Sequence, residues 1–102
     1  MKADAIVAIV EKGKASHIVN QAKAHGAQGA TIFYARGTGA EEAKTFLNLK
    51  VDAQKEVIII ITSKEDTKKI FDVVVSEGNV TCPGKGIVFV LPVSELEGFH
   101  LM

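Results

Sequence analysis

Val57-Ile58-Ile59-Ile60-Ile61 is apolar and β-branched at every position, and the reading of that run decides the fold. Successive side chains of a β-strand point to opposite faces of its sheet. A strand with water on one face alternates apolar and polar residues, whereas one without alternation is buried on both faces. A run this short is strand length rather than helix length. The same character returns in Ala5-Ile6-Val7-Ala8-Ile9-Val10 and in Gly86-Ile87-Val88-Phe89-Val90-Leu91-Pro92. Ala30-Thr31-Ile32-Phe33-Tyr34-Ala35 completes the set of strands.

Helical patterns separate these runs. After the break Glu11-Lys12-Gly13-Lys14, the apolar residues Ala15, Ile18, Val19 and Ala22 recur at the spacing of one helix face. His25-Gly26 ends that helix, with Gly26 as its left-handed cap. Ser63 followed by Asp66 resembles a capping box and opens a second helix that runs to Glu77. Its inward stripe is Thr67, Ile70, Phe71 and Val74, and Gly78 closes it. The order β-α-β-β-α-β repeats one strand-helix-strand plan. It predicts an α+β, ferredoxin-like split β-α-β domain: a four-stranded antiparallel sheet with two helices on one face. The chain of 102 residues is read as one such domain, 1–102, because that length supports one core.

Two helices cover only one face of a sheet, yet three of the strands are apolar on both. Burying a Val, Leu or Ile side chain contributes roughly 1.5–3 kcal/mol, so leaving the second face wet is incompatible with a small domain's stability. The sequence therefore predicts that copies of the chain cover one another. The alternative is a third helix supplied by the stretch from Thr38 to Ala53, which carries Glu41, Glu42, Lys44, Phe46, Leu47 and Leu49. We expect that stretch to be mobile when free and ordered by a ligand or partner, because long connections in compact domains are commonly functional.

Composition excludes several classes. A hydrophobic fraction of 47% is incompatible with disorder. Lys+Arg and Asp+Glu are both 12, so no general attraction to nucleic acid or anionic lipid is expected, and little charge opposes self-association. The single Cys82 has no partner for an internal disulfide and no metal-type spacing around it, which makes cytoplasmic residence the expectation. Met1-Lys2-Ala3-Asp4 places charge where a signal sequence is apolar. No apolar run approaches the ~18 residues of a membrane span.

Catalytic patterns are absent. Glu41 and Glu42 are adjacent and point apart, which does not make an acid–base pair. His17, His25 and His100 are poorly grouped as metal ligands. Binding and signalling are expected rather than catalysis, with no metal and no required cofactor. Two glycine pairs, Gly37 with Gly39 and Gly84 with Gly86, let backbone N–H groups approach a phosphate. They serve equally well as loop glycines, and neither pair has the strand-to-helix setting of a phosphate-binding loop. Lys85 is a phosphate partner or a solvated turn lysine, and Arg36 a loop-base cation or a surface arginine.

Gly29-Ala30-Thr31 leading into Arg36-Gly37-Thr38-Gly39 resembles the second strand and T-loop base of the PII signalling proteins. Gly84-Lys85-Gly86-Ile87-Val88-Phe89-Val90-Leu91-Pro92-Val93 resembles their B-loop and the strand after it. The resemblance spans nearly the whole chain and implies a homotrimer whose inter-subunit clefts hold an adenine nucleotide (ATP, ADP or AMP) or a small metabolite. It also implies a target protein of nitrogen or related metabolism, a membrane transporter among the candidates. Thr31 matches an adenine-contacting position, Ile60, Ile61 and Thr62 match the strand beside it, and Arg36, Gly37, Thr38, Gly39, Gly84, Lys85 and Gly86 match the loop positions around the phosphates.

The chain departs from the family pattern in several places. Ile87 stands where a lysine is usual, and Gly98 and His100 where two arginines are usual. The T-loop is short, the family's modified tyrosine has no counterpart, and Cys82-Pro83 is inserted in the B-loop. These changes remove phosphate-binding cations. The competing readings are a metal-tolerance or amino-acid-sensing trimer of the same fold, and a small mutase or isomerase.

Overall fold

The computed structural model describes residues 2–37 and 53–98. Along the chain run β1 (Ala3–Glu11), α1 (Ala15–Ala24), β2 (Thr31–Gly37), β3 (Ala53–Ser63), α2 (Lys64–Gly78) and β4 (Gly86–Val93). The strands form one antiparallel sheet in the order β2-β3-β1-β4. This is the ferredoxin-like arrangement expected from the apolar runs. Strands β1 and β3 are longer than those runs: Glu11, read as part of a break, is paired with Lys55, and β3 starts at Ala53. Backbone pairing with a central neighbour carries the strand past its apolar residues.

Register assigns every strand residue to a face, because directly opposed residues of an antiparallel pair lie on the same side. Ile6 opposes Ile60 and Val90, and Ala8 opposes Ile58 and Val88. Ile6, Ala8, Ile58 and Ile60 are buried with Ile18, Val19 and Ala22 of α1 and Ile70 and Val74 of α2. Both helices therefore lie on this face. The opposite face carries Ala5, Val7 and Ile9 in the register of Val57, Ile59 and Ile61, flanked by Phe33 on one side and Ile87, Phe89 and Leu91 on the other. No described element covers it. Phe33, Ile87 and Leu91 keep 45%, 54% and 51% of their surfaces exposed. The stretch that was to supply a third helix, with Glu41, Glu42, Phe46, Leu47 and Leu49, lies outside the described residues.

Both helices close in the same manner. Gly26 has φ +113, and the amides of Gly26 and Ala27 return to the carbonyls of Lys23 and Ala22. At the end of α2 the left-handed residue is Asn79 (φ 52), whose amide and that of Val80 return to Ser76 and Val75. Gly78 was expected to close this helix, but it is the last helical residue. A Cβ on it would sit tightly against Val80 Cγ1 at 3.3 Å and in ordinary contact with Ile18 Cδ1 at 3.5 Å, and asparagine tolerates the left-handed turn.

The start of α2 also differs from expectation. Ser63 Oγ donates to Asp66 Oδ2 at 3.1 Å and makes no bond to the helix amides. Phe71, assigned to the inward stripe, packs against this core while half-buried, its outer side sharing a shallow groove with Val90, Lys64, Thr67 and Lys68. Thr67, Ile70 and Val74 are buried.

Candidate functional site

Two buried acids on the helix face set the ends of the sheet apart. At one end, Glu56 of β3 is 7% exposed. Its Oε1 accepts the backbone N–H of Gly13 at 3.0 Å and of Ala15 at 2.8 Å. Helix α1 has no side-chain cap of its own at Lys14, so a strand residue some forty positions away satisfies its orphan amides. The β1–α1 turn, with Lys12 on it, is thereby fixed to the start of β3.

At the other end Asp4 of β1 is buried. Its Oδ1 accepts from Lys64 Nζ at 2.8 Å and its Oδ2 from Thr67 Oγ1 at 2.7 Å. Thr67 has one hydroxyl hydrogen, and with that hydrogen given to Asp4 the Thr62 hydroxyl, 2.8 Å away, donates to Thr67. These bonds, first from Lys64 and then from Thr67, lower the Asp4 pKa below the ordinary carboxylate value, outweighing the opposing effect of burial. The network ties β1, β3 and the first turn of α2 together.

The sequence-predicted site residues divide between these regions. Arg36, Gly37, Gly84, Lys85 and Gly86 lie at the Glu56 end, where β1 and β2 finish and β3 and β4 begin. Lys85 Nζ is 3.6 Å from Glu11 Oε1, so a carboxylate of the same chain lies beside it. Gly86 has φ +147, and a Cβ there would stand 2.5 Å from the Ile9 carbonyl oxygen. The close approach of β4 to β1 requires this glycine independently of any ligand. Thr38 and Gly39 lie outside the described residues, as does His100.

Thr31 is exposed, opposes Ile59 and shares the open face with Ile61. Five residue steps along the strand separate it from Arg36, roughly 17 Å. Ile60 is 0% exposed under the helices, so its side chain has no surface to offer a ligand. Thr62 is buried, with its hydroxyl committed to Thr67. A single chain does not bring Thr31 and Ile61 together with the loop glycines.

Sequence reading missed the groove at the Glu56 end. Lys12, Tyr34, Ala35, Arg36 and Gln54 line an open cavity of about 630 Å³. Tyr34 and Arg36 alternate onto the helix face of β2, opposite Glu56 and Gln54. Tyr34 is 73% exposed. Only strand register reveals this gathering, since Lys12 and Gln54 are far apart in sequence. Among the described residues no group of His, Cys, Asp and Glu could hold a metal ion. Cys82 is exposed, His17 Nε2 is hydrogen-bonded to Glu77 at 2.6 Å, and His25 Nδ1 to the Gln21 carbonyl at 2.8 Å. No described helix is long and apolar enough to cross a membrane.

Comparison with known proteins adds to this geometry. The family model described as nitrogen regulatory protein P-II matches residues 3–100. A crystal structure of Arabidopsis thaliana PII bound to citrate superposes with a TM-score of 0.73 at 22% identity, covering 91% of this chain and 78% of the other. No curated protein matches the sequence.

Proposed function

The chain belongs to the nitrogen regulatory protein P-II family, and from that premise we propose that it is a ligand-sensing regulator rather than an enzyme. In this reading three copies associate through their open sheet faces. An adenine nucleotide or small metabolite binds between subunits at the Glu56 end, and the liganded trimer controls a partner protein, a transporter or a metabolic enzyme, in the cytoplasm. The plant relative whose structure carries citrate supports a small carboxylate as one such ligand class.

The observation that carries this reading is the uncovered apolar face. Ile87, Leu91 and Phe33 are half-exposed on it, a surface too apolar for an isolated chain and suited to another copy. Association also answers the scatter of the candidate residues. Thr31 and Ile61 lie on or beside the face that a neighbour covers, and the loop glycines lie at its rim. Copies packed on that face set one chain's strand against the other's loops.

Phosphate recognition rests on few groups. Lys85 and Arg36 remain, with Ile87 in place of a further cation, and Lys85 has Glu11 beside it. A ligand carrying one or two phosphates suits such a site better than a triphosphate, whose charge calls for more cations. Native mass spectrometry of freshly purified protein tests the assembly, which should appear as a trimer. A single-chain species at micromolar concentration defeats the assembly. Calorimetry against ATP, ADP, AMP and cyclic AMP without heat at millimolar ligand defeats the nucleotide.

A further inference from the structure

We propose that the acidic segment 94–98 of one copy seats in the groove between α2 and β4 of a second copy. This contact is independent of any ligand, and it uses the helix side of the sheet rather than the open face. The groove has a volume of about 310 Å³ and is lined by Lys64, Thr67, Lys68, Phe71 and Val90. Phe71 and Val90 are both partly exposed and give it apolar surface. Lys64 and Lys68, one helical turn apart, stand on its helix side. Their present partners leave them capacity. Lys64 donates to Asp4 while half of its side chain stays exposed, and an ammonium has three hydrogens to give. Lys68 meets Asp72 at 2.9 Å with both side chains largely exposed, a pair that contributes little. Lys2, whose carbonyl accepts the amide of Lys64, adds an exposed cation with no ion pair among the described residues.

The segment supplies the complement. Glu95 and Glu97 are exposed and make no ion pair among the described residues, and Leu96 between them is half-buried. In an extended chain the two acids lie on one side, about 7 Å apart. Lys64 and Lys68 are separated by roughly 6 Å along their helix, so the charges match in spacing as well as in sign. Leu96 then points to the other side, toward Val90 on the strand side of the groove. Within one chain the match is not made, because the segment contributes nothing to the lining of the groove. Strand β4 ends at Val93, opposite Ala3, so segment and groove lie at the same end of the sheet. In a cyclic assembly each copy gives its segment to one neighbour and receives another's in its groove.

Carbodiimide coupling joins an amine to a carboxylate only where the two are in contact, and it tests the pairing on the full chain. Unlabelled chains and chains labelled with heavy nitrogen are mixed in urea, refolded together, coupled and digested. We expect Lys68 joined to Glu95 or Glu97 in peptides that pair a light chain with a heavy one. Lys68→Glu should reduce the mixed product several-fold. Leu96→Ser should reduce it as well without lowering the melting temperature, since Leu96 is not among the residues packed on the core. Coupled peptides that join only chains of the same label place the segment in its own groove and overturn the proposal. Absence of any such peptide overturns it too, as does a mixed product that neither substitution diminishes. The open-face assembly has its own readout, the subunit count, so the two readings fail separately.

Discussion

The two faces of this sheet are built from the same kinds of residue and have opposite fates. On the helix face Ile6, Ile58 and Ile60 are at most 1% exposed, held by two helices and flanked by the Glu56 and Asp4 networks. On the other face Ile87 and Leu91, no less apolar, are half in water. Hydrophobicity alone does not distinguish them; the supply of covering elements does. Side-chain chemistry decides that a surface must be buried, and topology decides whether the same chain can bury it.

Substitutions can break this comparison or sharpen it. The largest effect belongs to the helix face. Ile60→Ala opens a cavity in a fully buried layer and should cost about 2–5 kcal/mol in urea denaturation. A loss near zero would mean that the helices do not seal that face. Next come the polar anchors. Glu56→Ala strands the amides of Gly13 and Ala15 and should cost about 1–3 kcal/mol, with faster amide exchange at the start of α1.

Asp4 should make stability depend on pH in a defined direction. Its folded pKa is lowered by the Lys64 and Thr67 hydrogen bonds. The stability it contributes is therefore fully present above its unfolded value, about 4, and lost as pH falls through the lower folded value. Thermal melts should show Asp4→Asn less stable than wild type at neutral pH, with the gap closing under acid. A gap that stayed constant would remove the carboxylate's charge from the explanation.

The smallest effect on the single chain is expected on the open face. Leu91→Ser should change the unfolding free energy of the isolated chain by well under the Ile60→Ala value, because half of the side chain is already in water. It should instead weaken self-association, seen as a shift in sedimentation and as a melting temperature more dependent on protein concentration. If both substitutions cost the same in the isolated chain, the difference between the faces is not real.

Much of the architecture was legible because burial on both faces leaves unbroken apolar runs. Val57 to Ile61 and Ala5 to Val10 located the central strands, and the Ala15-Ile18-Val19-Ala22 stripe located α1. The excess of apolar strand over available helix was legible for the same reason. What stayed hidden depends on pairings between distant residues. Asp4 with Lys64 and Thr67, or Glu56 with Gly13 and Ala15, join positions some forty to sixty apart with no local signature. Gly86 looked like a phosphate glycine, yet the Ile9 carbonyl oxygen, 2.5 Å from where its Cβ would stand, accounts for it, and the cap expected at Gly78 falls on Asn79. The Tyr34 groove was invisible because strand register, not sequence spacing, assembles it.

The bond from Glu56 to the first amides of α1 makes a mechanical tether. Its strand follows the connection between β2 and β3, so the helix start is joined directly to the first residues after that connection. The opening turn of α1 and the start of β3 are thereby held together by two hydrogen bonds. A ligand that braces either one thereby steadies the other.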